Sequence, residues 1–321
     1  MPYLKTLILA AVLFIAGCGD PYVAKIEDQL PLVEKRLQQL SSALQNGEIR
    51  NANLINQYAD KLATSNPDMN QLIDEFRKDA TVQGPMYLAL LQRLDTVKNQ
   101  GTMFASDQVR YEELVNIYQA ADKVLYSDAL SDPLNVLADM SNGELPRVNA
   151  MSKSDELAAN NAQDFGVGSQ LVGNPSYGQW QTDNSGMSFW QWYGMYAMFS
   201  SLSDRVYYNR WGRNRGYSYY NDYGRSRYTS PRQYRKQQQV ETRTRKSFTS
   251  KGQTFTSTYS KNRTGSSGLS RQSVSAQQSS KFRQSGSKSK YAKSNSKSKY
   301  ASNSSFRNSR TKTTRSFRRG K

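Results

Sequence analysis

In IEDQLPLVEKRLQQLSSAL, residues 26–44, Ile26, Leu30, Val33, Leu37, Leu40 and Leu44 follow one another at spacings of four, three, four, three and four. That period belongs to one face of an α-helix, and it predicts a helix with a buried stripe. Lys25, Glu27, Glu34, Lys35, Arg36, Gln38 and Gln39 keep the remainder polar. Pro31 is expected to kink this helix or to mark its first turn, because proline lacks the N–H that an interior position donates.

The same pattern recurs downstream. Gly47 ends or loosens the first helix, and Ile49, Leu54, Ile55, Tyr58 and Leu62 form a second apolar set. Asn66-Pro67-Asp68 reads as a turn and a new start, since proline fits a first helical turn. Met69, Leu72, Ile73 and Phe76 then continue the face. MYLALLQRLDTV (86–97), after Gly84-Pro85, and DQVRYEELVNIYQAADKVLY (107–126) are two further helical runs. Residues 22–140 are therefore predicted to form a small helical bundle, and the fold class is mostly α. The first stripe also suits self-association as a coiled coil, although it lasts less than three heptads.

Beyond the bundle the period is lost. Residues 141–185 read as a linker with a local ordered piece near Tyr177 and Trp180. Residues 186–204 read as an aromatic amphipathic segment. Its centre, MSFWQWYGMYAMF (187–199), contains Phe189, Trp190, Trp192, Tyr193, Tyr196 and Phe199 and no charge. Drawn as a helix, Phe189, Trp192 or Tyr193, Tyr196 and Phe199 share one side, and Ser185 suits the cap. Such a helix rises about 20 Å against a hydrocarbon thickness of about 30 Å, so it is not expected to span a bilayer. Two placements stay open: at a membrane surface, where indole and phenol suit the headgroup layer, or in the helical core or a partner's groove.

Charge divides the chain. Of 44 Lys and Arg, 30 lie from Arg205 onward, alongside only two acids, Asp222 and Glu241. Between Arg205 and Lys236 tyrosines alternate with Arg205, Arg210, Arg213, Arg215, Arg225, Arg227, Arg232 and Arg235. Guanidinium groups pair with phosphate or carboxylate while rings offer stacking surfaces, so these arginines are the candidate polyanion contacts. Further on, Ser, Thr, Gln, Lys and Arg dominate, and KSKYAKSNS (288–296) is followed by the similar KSKYASNSS (297–305). With so little apolar area at such charge, residues 205–321 are expected to be a disordered basic tail. TFTSTYS (254–260) alternates like a strand, but a lone strand has no independent stability.

The chain contains no histidine and a single cysteine, Cys18. No metal site and no cofactor are expected from such a donor set. Asp60, Glu75 and Glu112 are acids able to move protons, yet nothing pairs them in sequence, and neither a serine elbow nor a phosphate-cradling glycine loop is present. The chain is predicted not to be an enzyme.

Cys18 takes its meaning from what precedes it. Lys5 supplies a positive start, LILAAVLFIA (7–16) is an unbroken apolar run too short for a comfortable span, and Ile15-Ala16-Gly17-Cys18 closes it. This segment resembles the lipobox leader of bacterial lipoproteins. The resemblance implies removal of residues 1–17, acylation of the Cys18 thiol, and a lipid-anchored terminus at 18–21. In that family aspartate directly after the cysteine favours inner-membrane retention; here Gly19 stands there and Asp20 follows, which favours the outer membrane. The expected partners are membrane lipid through the acyl chains and, for the basic tail, anionic lipid or polyanions such as lipopolysaccharide, acidic polysaccharide or extracellular DNA. Such contacts would weaken steeply with salt. An accessory role in envelope assembly or secretion, with the helical domain binding a protein, is the alternative.

Overall fold

Asp20 starts the first helix: its carboxylate accepts a hydrogen bond from the backbone N–H of Tyr22 at 2.9 Å. The computed structural model describes residues 20–260. The leader, Cys18, residues 261–321 and the repeat at 288–305 lie outside those residues.

Helix α1, Pro21–Gln45, buries Ile26, Val33, Leu37, Leu40 and Leu44. Pro31 sits within the helix on an exposed position and does not end it. Five helices follow: α2 (Arg50–Ser65), α3 (Asn70–Asp79), α4 (Pro85–Asn99), α5 (Asp107–Ala120) and α6 (Lys123–Ala129); the single run expected over 107–126 is divided because Asp122 caps a new helix, accepting from the Val124 and Leu125 N–H groups. Helix α7, Ser131–Met140, is buried along almost all of its length and forms the centre. Helix α1 packs on α5, α2 on α3 and α7, and α4 on α5. The described residues are mostly α-helical, as the periodicity over 22–140 predicts.

The region read as a linker is more ordered than expected. It contains α8 (Lys153–Asn160) and strand β1 (Gly178–Thr182), and it buries Leu171, Val172 and Tyr177. Strand β1 pairs antiparallel with β2 (Ser188–Trp192), aligning Trp180 with Trp190 and Gly178 with Trp192. Asp183 shapes the connecting turn by accepting from the Ser185 and Met187 backbone N–H groups, and Gly186 adopts a φ of +80°. The aromatic segment is thus not a continuous helix. It is a strand, then a 3₁₀ turn over Gly194–Met198, then the short helix α9 (Phe199–Leu202). Gly194, with a φ of +49°, breaks any continuous right-handed helix.

The expectation of disorder from residue 205 is also overturned for residues 205–260. Helices α10 (Tyr208–Asn214), α11 (Arg225–Tyr228, continuing a π-helical turn over Tyr220–Gly224) and α12 (Pro231–Thr249) occupy most of that stretch. Tyr208, Trp211, Tyr217, Tyr219, Tyr220 and Tyr228 are buried in the same core as the first helices. Thr254–Ser260 forms no strand; Phe255 and Thr258 insert as single buried residues.

Carboxylates from the first half fix this second half. Asp132 on α7 accepts from the N–H groups of Tyr219 and Tyr220 at 2.7 and 2.9 Å and from the Ser218 hydroxyl at 3.0 Å. Glu156 on α8 accepts from the Tyr217 N–H at 2.8 Å. Asp79, at the end of α3, accepts from the hydroxyls of Tyr177 at 2.7 Å and Tyr196 at 3.2 Å. The rings then run in continuous contact from Phe76 through Phe199, Trp192, Trp190, Trp180, Tyr208 and Phe255 to Phe248, with centroids 4.8 to 6.1 Å apart. Edge-on and tilted geometries of this kind stabilise beyond area burial alone.

Candidate functional site

Helix α12 begins with a complete capping box: the Ser230 hydroxyl accepts from the Gln233 N–H, and the Gln233 side chain accepts from the Ser230 N–H. Its inward side buries Gln237, Val240 and Thr244. Gln237 donates to the Gly173 carbonyl and the Tyr220 hydroxyl, both at 2.9 Å, and so sets the rotation of the helix. That rotation turns Arg232, Lys236, Gln239 and Arg243, spaced four, three and four residues apart, along one edge. The edge forms a wall of a cleft of about 650 Å³ between α12, α4 and the β-hairpin.

The facing wall is α4, which contributes Gln92, Asp95 and Thr96, with Gln100 directly after its last residue. The hairpin contributes Gln179, Trp180, Gln181 and Trp190, and Tyr193 follows at its edge. Beneath them lies a buried ion pair. Arg93 donates to both carboxylate oxygens of Glu113, at 2.6 and 2.9 Å, and its third nitrogen donates to the Arg227 carbonyl. Arg93 and Glu113 therefore compensate each other, and what remains is one acid on α4, Asp95, which accepts from the Asn99 amide at 2.6 Å, against Arg232, Arg235, Lys236 and Arg243 on α12, so the balance of the cleft is cationic.

On that wall Arg232, Arg235 and Lys236 are exposed, and no described carboxylate engages them. Arg243 is exposed and donates to the Thr182 hydroxyl at 2.6 Å, linking the helix to the hairpin. Trp190 is only 4% exposed, and neither its indole N–H nor that of Trp180 has a hydrogen-bond partner. The cleft thus combines free cations on one side, amides on both sides and indole rings between them. No protein family, curated protein or solved structure matches this chain.

The sequence-predicted aromatic contacts divide. Trp190, Trp192, Tyr196 and Phe199 are buried in the core. Tyr193 stays exposed at the cleft, and Phe189 lies half-buried beneath the Arg205 guanidinium, 4.5 Å from its ring centroid. The six rings therefore do not form one surface available to a bilayer. No described helix is long and apolar enough to cross a membrane.

The eight arginines divide as well. Arg215 is buried, where it pairs with Asp222 and donates to the Thr258 carbonyl. Arg227 is buried and donates to the Gln119 side chain and the Tyr223 carbonyl. Arg225 donates to Gln237 and stacks between Tyr234 and Tyr259, and Arg213 lies over Phe248. These four hold the fold together. Arg205 and Arg210 are exposed away from the cleft, and Arg232 and Arg235 line it. Asp60, Glu75 and Glu112 are not gathered: Asp60 pairs with Arg77, Glu75 with Lys78, and Glu112 accepts from Gln108.

Sequence reasoning missed Lys236, Gln239 and Arg243 as companions of Arg232. The signal was their helical spacing after Ser230-Pro231, a cap followed by a first-turn proline.

Proposed function

We propose that this chain is a lipid-anchored envelope protein of binding type, which holds anionic material through its basic C-terminal half. The anchor rests on the sequence LILAAVLFIAGC (7–18), which carries the apolar run, small residues and cysteine of a lipoprotein leader in order. Two or three acyl chains, each CH₂ stabilising the bound state by about 0.8 kcal/mol, would keep it at a bilayer. The observation that carries the binding role is the row of exposed cations on α12 left without carboxylate partners beside an open cleft. The outer membrane is the favoured site, because Gly19 stands directly after Cys18.

Fractionation of cells carrying the wild type and Cys18→Ser, washed at low and high salt, tests this reading. Wild-type protein is expected in the membrane fraction at both salt levels, with an acylated Cys18 at its N-terminus by mass spectrometry. The variant is expected to wash off at high salt. A soluble wild-type protein that begins at Met1 with an unmodified thiol overturns the anchor.

A further inference from the structure

We infer that the cleft between α4, the hairpin and α12 is a binding site for a linear acidic polysaccharide, one that carries a carboxylate or comparable anionic group on successive sugars. This inference rests on the binding role proposed above and names its site and ligand class.

Shape and charge periodicity suggest an extended polyanion. Arg232, Lys236, Gln239 and Arg243 span twelve residues of α12, a wall about 16 Å long with a polar group at every turn, about 5.4 Å apart. A single small anion would need cations converging on one point. Here they lie in file along an open trough, beside which Arg235 adds a further free charge.

The remaining lining favours sugar over nucleic acid. Gln92, Gln100, Gln179, Gln181 and Gln239 each present a donor and an acceptor, which is what ring and hydroxyl oxygens of a glycan require. Single-stranded nucleic acid needs free ring faces on which successive bases stack. Trp180 is only half-exposed and already packs against Trp190, Tyr208 and Trp211 at 4.8 to 5.1 Å. Tyr193, 41% exposed, is the one well-exposed ring of the cleft. The unpartnered indole N–H groups of Trp180 and Trp190 add emission probes at the base of the same trough.

The test uses the full chain in detergent, with oligogalacturonate as the acidic probe, its methyl-esterified form as the neutral control, and single-stranded DNA as the competing polyanion. Binding is read by tryptophan emission and by calorimetry. Two charge-matched variants are compared: Arg232→Gln/Arg235→Gln/Lys236→Gln in the cleft, and Arg210→Gln/Lys246→Gln/Lys251→Gln away from it. All six side chains are exposed, so both variants are expected to keep the wild-type thermal transition.

The cleft variant is expected to bind oligogalacturonate about tenfold more weakly, the combined effect of three exposed charge pairs. The distal variant is expected to change by less than about threefold, by the loss of long-range attraction alone. Gln92→Glu/Gln100→Glu, which places negative charge on the facing wall without removing any cation, is expected to weaken binding similarly. Equal losses in the two charge-matched variants would overturn the cleft while leaving a general polyanion role intact. DNA binding as tight as oligogalacturonate, and equally sensitive to the cleft variant, would overturn the ligand class. Failure of the wild type to bind either polyanion would overturn both this site and the binding role beneath it.

Discussion

Asp79 and Asp132 show how much a single buried carboxylate does in this chain. Burial pushes each from the ordinary carboxylate value up to about 7, against the pull of their hydroxyl and N–H donors. Between the ordinary value and about 7 the folded form therefore holds protons that the unfolded chain has released. The resulting stabilisation is complete below the ordinary value and is lost as pH rises through about 7. Tm is expected to fall from about pH 5 to about pH 8, with a slope of at most about 1.4 kcal/mol per pH unit for each group. Asp79→Asn, which keeps an acceptor for Tyr177, should flatten that slope; an unchanged slope in the variant would remove Asp79 from the account. A second prediction concerns Arg93 and Glu113, 6% and 2% exposed. Arg93→Met strands a buried carboxylate and should lower unfolding free energy by about 3–5 kcal/mol, whereas Arg93→Met/Glu113→Leu should recover most of that loss in urea titrations. None of these three partnerships is visible in sequence. Asp132 and its donors at 218–220 are more than eighty residues apart, and no local rule links them.

The elements divide by how local their causes are. Helix α1 is legible because its stripe, its Asp20 cap and its exposed Pro31 all act within the helix itself. The hairpin was legible in principle: Ser188, Trp190 and Trp192 alternate inward, and Asp183-Asn184-Ser185-Gly186 is turn chemistry. The helical alignment of Phe189, Tyr196 and Phe199 competed with that period, and Gly194 decided between them by its positive φ. Close packing makes the hairpin sensitive at one position. A Cβ at Gly178 would collide with the Gln191 carbonyl oxygen and lie 2.7 Å from the Trp190 ring, and a backbone atom and a packed indole are poorly placed to retreat. Gly178→Ala should destabilise the fold by about 1–3 kcal/mol and reduce the near-ultraviolet signal of the coupled indoles, because overpacking displaces both strands. A variant that melts with wild-type Tm and spectrum would mean the strands are not held in this register.

At the scale of the molecule, the division at Arg205, with 24 of the 26 acids before it and 30 of the 44 Lys and Arg from it onward, describes charge and not folding units. The rule that high charge and low hydrophobicity give disorder averages over a segment, whereas folding depends on where the rings point. Arg205, Arg213 and Arg225 lie over the faces of Phe189, Phe248 and Tyr259, so charged heads and half-buried rings pack into the same layer. The buried tyrosines between 208 and 228 complete a core that the first helices leave unfinished. Ending the chain after Asp204 should therefore abolish cooperative thermal unfolding and near-ultraviolet dichroism, while some far-ultraviolet helical signal survives. A sharp melt in that shortened chain would show the first half to be self-sufficient.

Thr258 gives this dependence a direction in time. Fully buried, it donates its hydroxyl to the Gly212 carbonyl and receives Arg215 on its own carbonyl. A polypeptide that emerges N-terminus first, from a ribosome or through any narrow pore, cannot fasten that clasp until some 240 residues beyond Asp20 have passed the exit. The contacts of Thr258 therefore form last in such an emergence, after the helices α1 to α12 have cleared the exit.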